Sequence, residues 1–324
     1  MSVRAPVALF VYNRPDHTRR TLEALARNRL AADTSLYVFS DGPKADATVE
    51  DRERIAATRA LVCSRAWTRK ITLIESATNH GLADSIVTGV NRVLHEHDRI
   101  IVLEDDIVTS PGFLEFLNRG LELYANDRQV MHISGYMYPL RSPPAGTVFL
   151  RVYSCWGWAT WARAWRYYDP DVERHLRRYD TPERVRKFNI EGHGDFHRQL
   201  LENRSGRIRT WAIRWYASWL AQGGFTLFPT RSLAQNIGHD GSGVHCGPSH
   251  MFDTALADSV PVKRIPIEEN VALRWRLNEY FRTGRTDCSF TRAWLTTRLV
   301  LPVRRRWSNR HRAFSGPVLA KKAD

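Results

Sequence analysis

The sequence predicts an α/β protein built on a mostly parallel sheet, and three observations carry that prediction. Short apolar runs alternate with amphipathic helical stripes through the first hundred residues. A continuous run at residues 99–103 has no polar alternation, as a strand covered on both faces requires. That run ends abruptly in three consecutive carboxylates, Glu104, Asp105 and Asp106, at the rim where open α/β sheets bind ligands.

Residues 7–12 are the first predicted strand, and a helix opens after it at Pro15 or Asp16, positions suited to a helix start. Residues 36–40 form the second strand, 49–62 a helix and 71–74 the third strand. Residues 82–95 carry Leu82, Ile86, Val90, Val93 and Leu94 on one helical stripe before the fourth strand at 100–103. A further helix is predicted from about Pro111, with Ser110 as its N-cap. Polar groups follow three of the strands: Asn13 and Arg14, then Asp41 and Gly42, then the acidic triplet. On a parallel sheet these share one rim, within reach of one ligand. Adjacent carboxylates repel, so the triplet calls for a divalent cation that carries a phosphorylated ligand.

Past residue 130 the pattern changes to short strand-like pieces and aromatic segments. Trp158, Trp161 and Trp165 are spaced as one helix face and read as core, as do Trp211, Trp215 and Trp219. Trp156, beside Gly157, is the better platform for the apolar face of a sugar. Residues 235–245 hold three glycines with His239, Asp240, Ser242 and His245, a loop able to wrap a phosphate with its N–H groups.

The chain of 324 residues is 43% hydrophobic, enough for one large domain or a domain with an appended lobe. Cys63, Cys155, Cys246 and Cys288 have no paired short spacing, against a zinc site or disulfide framework. No secretory signal pattern or membrane-length apolar run is present, which predicts a cytoplasmic protein. The net charge of +14 asks for an anionic partner: nucleic acid, membrane or phosphorylated small molecule. From Arg282 onward basic residues recur among Phe290, Trp294, Leu295 and Leu299, as in a helix lying on an anionic membrane surface, until Pro302 interrupts it.

These motifs together resemble the GT-A glycosyltransferases, most closely the N-acetylglucosaminyltransferase I type branch and the bacterial family 2 sugar transferases. The resemblance spans about residues 5–255. It implies a GT-A domain over 1–255, with a nucleotide-sugar half at 1–130, an acceptor half at 131–255 and a basic extension at 256–324. It implies that Asp106 holds Mn²⁺ or Mg²⁺ and that Glu104 and Asp105 contact the nucleotide-sugar. Arg14, Asp41 and His80 would complete the donor site, Asp41 at the uracil edge, which favours a UDP-sugar. Ser242 and His245 would close over the diphosphate, and Trp156, Gly157 and Trp158 would face the acceptor.

One departure stands out. The branch places an aspartate base at the start of the helix matching residues 211–215, and no acid is there. Asp240 is the first substitute and Asp195 the second, though both also suit turns. The implied activity is transfer from a nucleoside diphosphate sugar to a glycan or lipid-linked acceptor, with inversion, in cell-surface polysaccharide or lipopolysaccharide assembly at the inner face of the membrane. A sugar nucleotidyltransferase would carry a glycine-rich loop after the first strand, where this chain has Asn13, Arg14 and Pro15. A non-enzymatic binder of nucleic acid or membrane accounts for the charge but not for the acidic triplet, so nucleic acid is not a predicted partner.

Overall fold

The computed structural model describes residues 4–141, 145–241 and 250–284. In chain order the elements are β1 (Val7–Val11), α1 (Pro15–Ala26), β2 (Ser35–Ser40), α2 (Val49–Cys63), β3 (Lys70–Glu75), α3 (Leu82–Glu96), β4 (Arg99–Glu104), β5 (Ile107–Thr109) and α4 (Phe113–Leu123). There follow β6 (Val130–Ser134), β7 (Thr147–Leu150), β8 (Trp158–Trp161), α5 (Ala162–Trp165), α6 (Val172–Arg178), α7 (Pro182–Phe188), α8 (Phe196–Arg204), α9 (Ala212–Leu220), β9 (Phe225–Pro229), β10 (Ala234–Asn236) and α10 (Val271–Thr283).

The main sheet has the order β3-β2-β1-β4-β8-β6-β9-β7. β3, β2, β1 and β4 are parallel; β8 runs against both β4 and β6, β9 parallels β6, and β7 closes the edge antiparallel to β9. β1 and the interior of β4 are buried, which is why both read as unbroken apolar runs. The strand order reverses beside β1, whose neighbours are β2 and β4, so the crevice at the C-terminal ends of β1 and β4 is the topological switch point. A small second sheet pairs β10 with β5 just beyond that crevice.

Two local expectations fail for identifiable reasons. Trp158 and Trp161 lie on a strand, so their three-residue spacing sends them to opposite faces. Trp158 stacks on Trp211 at 5.0 Å, while Trp161 Nε1 donates to the Leu121 carbonyl (3.0 Å). Ser110 does not cap α4: its N–H donates to Leu233, extending the β5–β10 pairing, and Gly112 takes the N-cap position.

The packed body continues past residue 255. Leu273, Leu277 and Tyr280 of α10 are buried, Asn270 N–H donates to the Phe149 carbonyl, and Tyr280 Oη donates to the Met251 carbonyl. The basic helix expected beyond residue 285 lies outside the described residues, and no described helix is long and apolar enough to cross a membrane. Among the described residues Cys63 and Cys155 are free thiols.

The aromatic half is organised around His132, fully buried on β6. Trp215 Nε1 donates to its Nδ1 (3.1 Å), so the proton sits on Nε2, which donates to the Ser154 carbonyl (2.9 Å). A second ring proton would face the indole N–H, and burial lowers the His132 pKa to about 4. The unfolded chain takes up this proton near pH 6.5 and the folded chain does not. Stability from His132 is therefore complete above pH 6.5 and lost as pH falls toward 4, by about 3 kcal/mol. Urea unfolding of wild type and His132→Gln at pH 7, 5.5 and 4 checks this: the gap between them should narrow with acid, and a constant gap contradicts it.

Candidate donor and metal site

The site begins with register. Phe10 of β1 pairs beside Glu104 of β4, so the residues that follow each strand emerge side by side. Pro15 at the first position of α1 turns the chain immediately after Arg14. The Arg14 guanidinium then meets the acidic triplet: Nε donates to Asp105 Oδ2 (3.2 Å), and Nη2 donates to Asp105 Oδ1 and to Asp106 Oδ2 (2.9 Å for the latter). Thr21 Oγ1 of α1 donates to the Asp105 carbonyl (2.8 Å), tying the same helix to the end of β4.

Burial and mutual repulsion raise the Glu104 pKa, and burial raises that of Asp105 against the opposing pull of Arg14. The two flanking carboxylates hold the Arg14 guanidinium firmly protonated despite its burial.

Residues 236–241 close the other side. Ile237 N–H donates to the Asp106 carbonyl (2.9 Å), and Gly238 N–H donates to Asn236 Oδ1 (2.7 Å). A Cβ on Gly238 would collide with the Asp106 carboxylate, so the close approach requires glycine. His239 follows, packed edge-on to Trp156 (5.2 Å) and tilted on Phe252 (5.6 Å). Burial lowers its pKa, with Asp106 and Asp253 pulling the other way. Asp240 Oδ2 lies 3.1 Å from His17 Nε2 on α1.

Three buried polar atoms here lack a hydrogen-bond partner among the described residues: Arg14 Nη1, Asp106 Oδ1 and His239 Nδ1. Buried polar groups are ordinarily satisfied, so a cation, an acceptor and a ring nitrogen left open at one crevice mark a ligand's place. No group of three or more His, Cys, Asp or Glu among the described residues is arranged to hold a metal by itself. Asp106 Oδ1 still fits a hard cation that takes its remaining ligands from phosphate and water.

The other predicted residues divide. Asp41 is buried at the end of β2, but its carboxylate accepts from three main-chain N–H groups, those of Gly42 (2.9 Å), His80 (2.9 Å) and Gly81 (2.9 Å). Here it is a clamp between two loops rather than a free reader of a base edge. Gly42 packs directly on the Thr78 backbone, where a Cβ has no room. His80 contributes its N–H to this clamp, and its side chain is exposed. Trp156 is half-buried at the rim, edge-on to Tyr136 (4.7 Å) and Phe252 (5.2 Å). Gly157 (φ +71°) turns the chain behind it and its carbonyl accepts from Gly135 N–H. Trp158 is 0% exposed and cannot present its ring to an acceptor. Asp195 precedes α8, paired to Arg198 (2.7 Å) and Gln199 (2.8 Å), and no contact joins it to the triplet. Ser242 and His245 lie outside the described residues.

Sequence reasoning does not single out His17, and it reads Gly238 and His239 only as members of the phosphate-wrapping loop, without roles of their own. His17 is one turn into α1, next to nothing that marks it in the chain, whereas His239 lies inside the glycine-rich loop and was visible there as a polar group without a role.

Residues 7–127, which hold β1 through α4 and the acidic triplet, match the family model of glycosyl transferase family 2. That match, on a mixed α/β fold with a mostly parallel sheet, supports a glycosyltransferase. No curated protein matches it. Among solved structures, it is similar to the mannosyltransferase PcManGT from Pyrobaculum calidifontis, solved with GDP-Man and Mn²⁺, at 12% identity over 68% of this chain and 74% of that one, with a TM-score of 0.39. Mouse xyloside xylosyltransferase 1 in its apo form is similar at 15% identity over 68% and 82% of the two chains, with a TM-score of 0.36. S. aureus TarS is similar at 11% identity over 51% of this chain and 30% of that one, with a TM-score of 0.33. These likenesses do not bear on donor, acceptor or metal.

The Asp41 clamp yields a discriminating variant. Asn at 41 keeps one acceptor oxygen but turns an NH₂ toward donors, leaving buried N–H groups unpaired at a cost of about 1–3 kcal/mol. Asp41→Asn should lower urea stability by that amount and speed amide exchange at His80 and Gly81. Unchanged stability with altered nucleotide preference would make Asp41 a base reader alone.

Proposed function

We propose that this glycosyltransferase uses a divalent cation, Mn²⁺ or Mg²⁺, to bind a nucleoside diphosphate sugar and transfers the sugar to a hydroxyl of a glycan or lipid-linked acceptor with inversion. The observation that carries this reading is the set of open polar atoms between Arg14, Asp106 and His239 at the switch point. Asp106 Oδ1 and His239 Nδ1 are the groups that would hold the cation, and when bound it offsets charge that develops on the departing diphosphate. Arg14 Nη1 is a second positive contact for a phosphate oxygen, held in place by the two carboxylates its other nitrogens engage.

In the transfer, the acceptor oxygen bonds to the anomeric carbon as the bond from that carbon to the diphosphate oxygen breaks, and the hydroxyl proton passes to a carboxylate. Asp240 is our assignment for that carboxylate. It stands two residues from the glycine that abuts Asp106, and His17 lies 3.1 Å from it, whereas Asp195 has no such link. Trp156, backed edge-on by Tyr136 and Phe252, is the apolar platform against which a sugar ring would rest.

Calorimetric titration of UDP, GDP and dTDP with and without Mn²⁺ is the test. Binding of one nucleotide should require metal, fall below detection in Asp106→Ala and weaken by about tenfold or more in His239→Ala. Failure of all three nucleotides to bind under either condition would refute the donor-site reading.

A further inference from the structure

A second concave site lies at the opposite end of the sheet. A pocket of about 440 Å³ is lined by Asn126, Arg128, Gln129, Arg163, Arg166 and Gln222 among others. β8 runs against β4 with Trp161 beside Arg99, so α5 begins at the far end of β4 from Glu104, five residues or about 17 Å away.

The charges around this pocket do not balance. Arg163 is fully engaged with the protein: Nε donates to the Ala125 carbonyl (2.6 Å), Nη2 to Tyr124 (2.8 Å) and Nη1 to Val130 (3.0 Å), and its guanidinium lies 4.2 Å over the Trp161 ring. It thereby offsets the carbonyl end of α4, which would otherwise attract the neighbouring cations. The nearby acid, Asp127, is taken by Arg264 (2.9 Å). The Arg166 side chain meets only Tyr167, donating to its hydroxyl (3.0 Å) with the guanidinium 4.9 Å from the ring centroid, and Arg128 makes no side-chain hydrogen bond or ion pair among the described residues. The side-chain amides of Asn126, Gln129 and Gln222 are likewise unpartnered there, and no described acid lines the pocket. Burial lowers the Arg163 pKa, with Asp127 pulling the other way and Arg166 adding a smaller push in the same direction as burial.

We propose that this pocket binds a phosphoryl anion, with Arg128 and Arg166 as its charged contacts and the three amides as its neutral ones. Two guanidinium forks with free amide donors suit tetrahedral phosphate oxygens, and the neutral donors favour a phosphate carried on a polar group. The site is remote from Asp106, so its occupancy requires no divalent cation.

The full chain in EDTA, titrated with inorganic phosphate and separately co-sedimented with phosphatidylcholine vesicles with and without phosphatidylglycerol, tests this. Both arginines are exposed, so the double variant Arg128→Gln/Arg166→Gln should fold normally. Loss of about tenfold or more in phosphate affinity in the double variant, with Asp106→Ala within about twofold of wild type, supports the site and a soluble source of the anion. A drop in sedimentation of the double variant confined to phosphatidylglycerol vesicles supports the site with a lipid headgroup as the source. Phosphate affinity and vesicle sedimentation both unchanged in the double variant, or no wild-type binding to either probe, would overturn the proposal.

Discussion

The contact between Arg14 and the carboxylates ending β4 is the constraint on which the rest of the nucleotide half depends. Three consecutive carboxylates, two of them buried, are unfavourable alone, and a single guanidinium from the loop after the neighbouring strand makes them tolerable by engaging two of them at once. That requires β1 and β4 to be neighbours in parallel register, which in turn requires the helical crossovers through α1, α2 and α3. Pro15 and Thr21 then hold α1 against the same strand end. One guanidinium against three carboxylates leaves the crevice short of positive charge, and the open Asp106 oxygen is where that shortfall is exposed. The arrangement is stable enough to fold and incomplete enough to bind.

The aromatic half answers a different demand. Its strands run both ways, and its core is filled with flat rings rather than β-branched side chains: Trp158 lies against His132, Trp211, Trp165 and Trp215. Such a core is intolerant of polar intruders, and the His132 imidazole inside it is kept neutral by an indole donor on one side and a carbonyl on the other. Rigidity here matters to the site, because Trp156 is two residues from Trp158 on a chain that Gly157 turns with positive φ. Half-buried Trp156 at the rim thus immediately precedes the strand that carries the buried stack.

What could be read from sequence followed the strength of local periodicity. β1 through β4 and their helices were legible because buried parallel strands and amphipathic helices leave unambiguous patterns, and the acidic triplet was legible because it interrupts one of them. The segment from Trp158 to Trp165 misled, since three tryptophans at helical spacing satisfy a strand followed by one helical turn equally well. Ser110 misled because a long-range pairing with Leu233 overrides the local capping signal. Arg14 was placed at the donor site from sequence, but its grip on Asp105 and Asp106 is a tertiary fact. Asp41 shows the limit of inference by motif: the residue stands where the resemblance puts it, yet its oxygens are committed to the loop that carries His80 and Gly81. His239 shows in the sequence only as one polar member of the glycine-rich loop, because its proximity to Asp106 is a tertiary fact.

The surplus of +14 invites the thought that positive charge draws the anionic donor to its site, and the local balance argues otherwise. Fields between exposed charges fade over about 8 Å in physiological salt, so what a diphosphate would meet at the crevice is Arg14 and the acidic triplet, not the chain's average. That neighbourhood carries more carboxylate groups than guanidinium groups, which is why the proposed donor reading calls on a divalent cation. The excess arginines lie elsewhere, and around Arg128 and Arg166 they stand without counter-charges. On the proposals made above, the two ends of the sheet are electrostatic opposites: one would need a cation before it accepts an anion, and the other would accept an anion directly. A net charge summed over the chain conceals this division, and only the sheet's polarity, with β8 reversed against β4, reveals it.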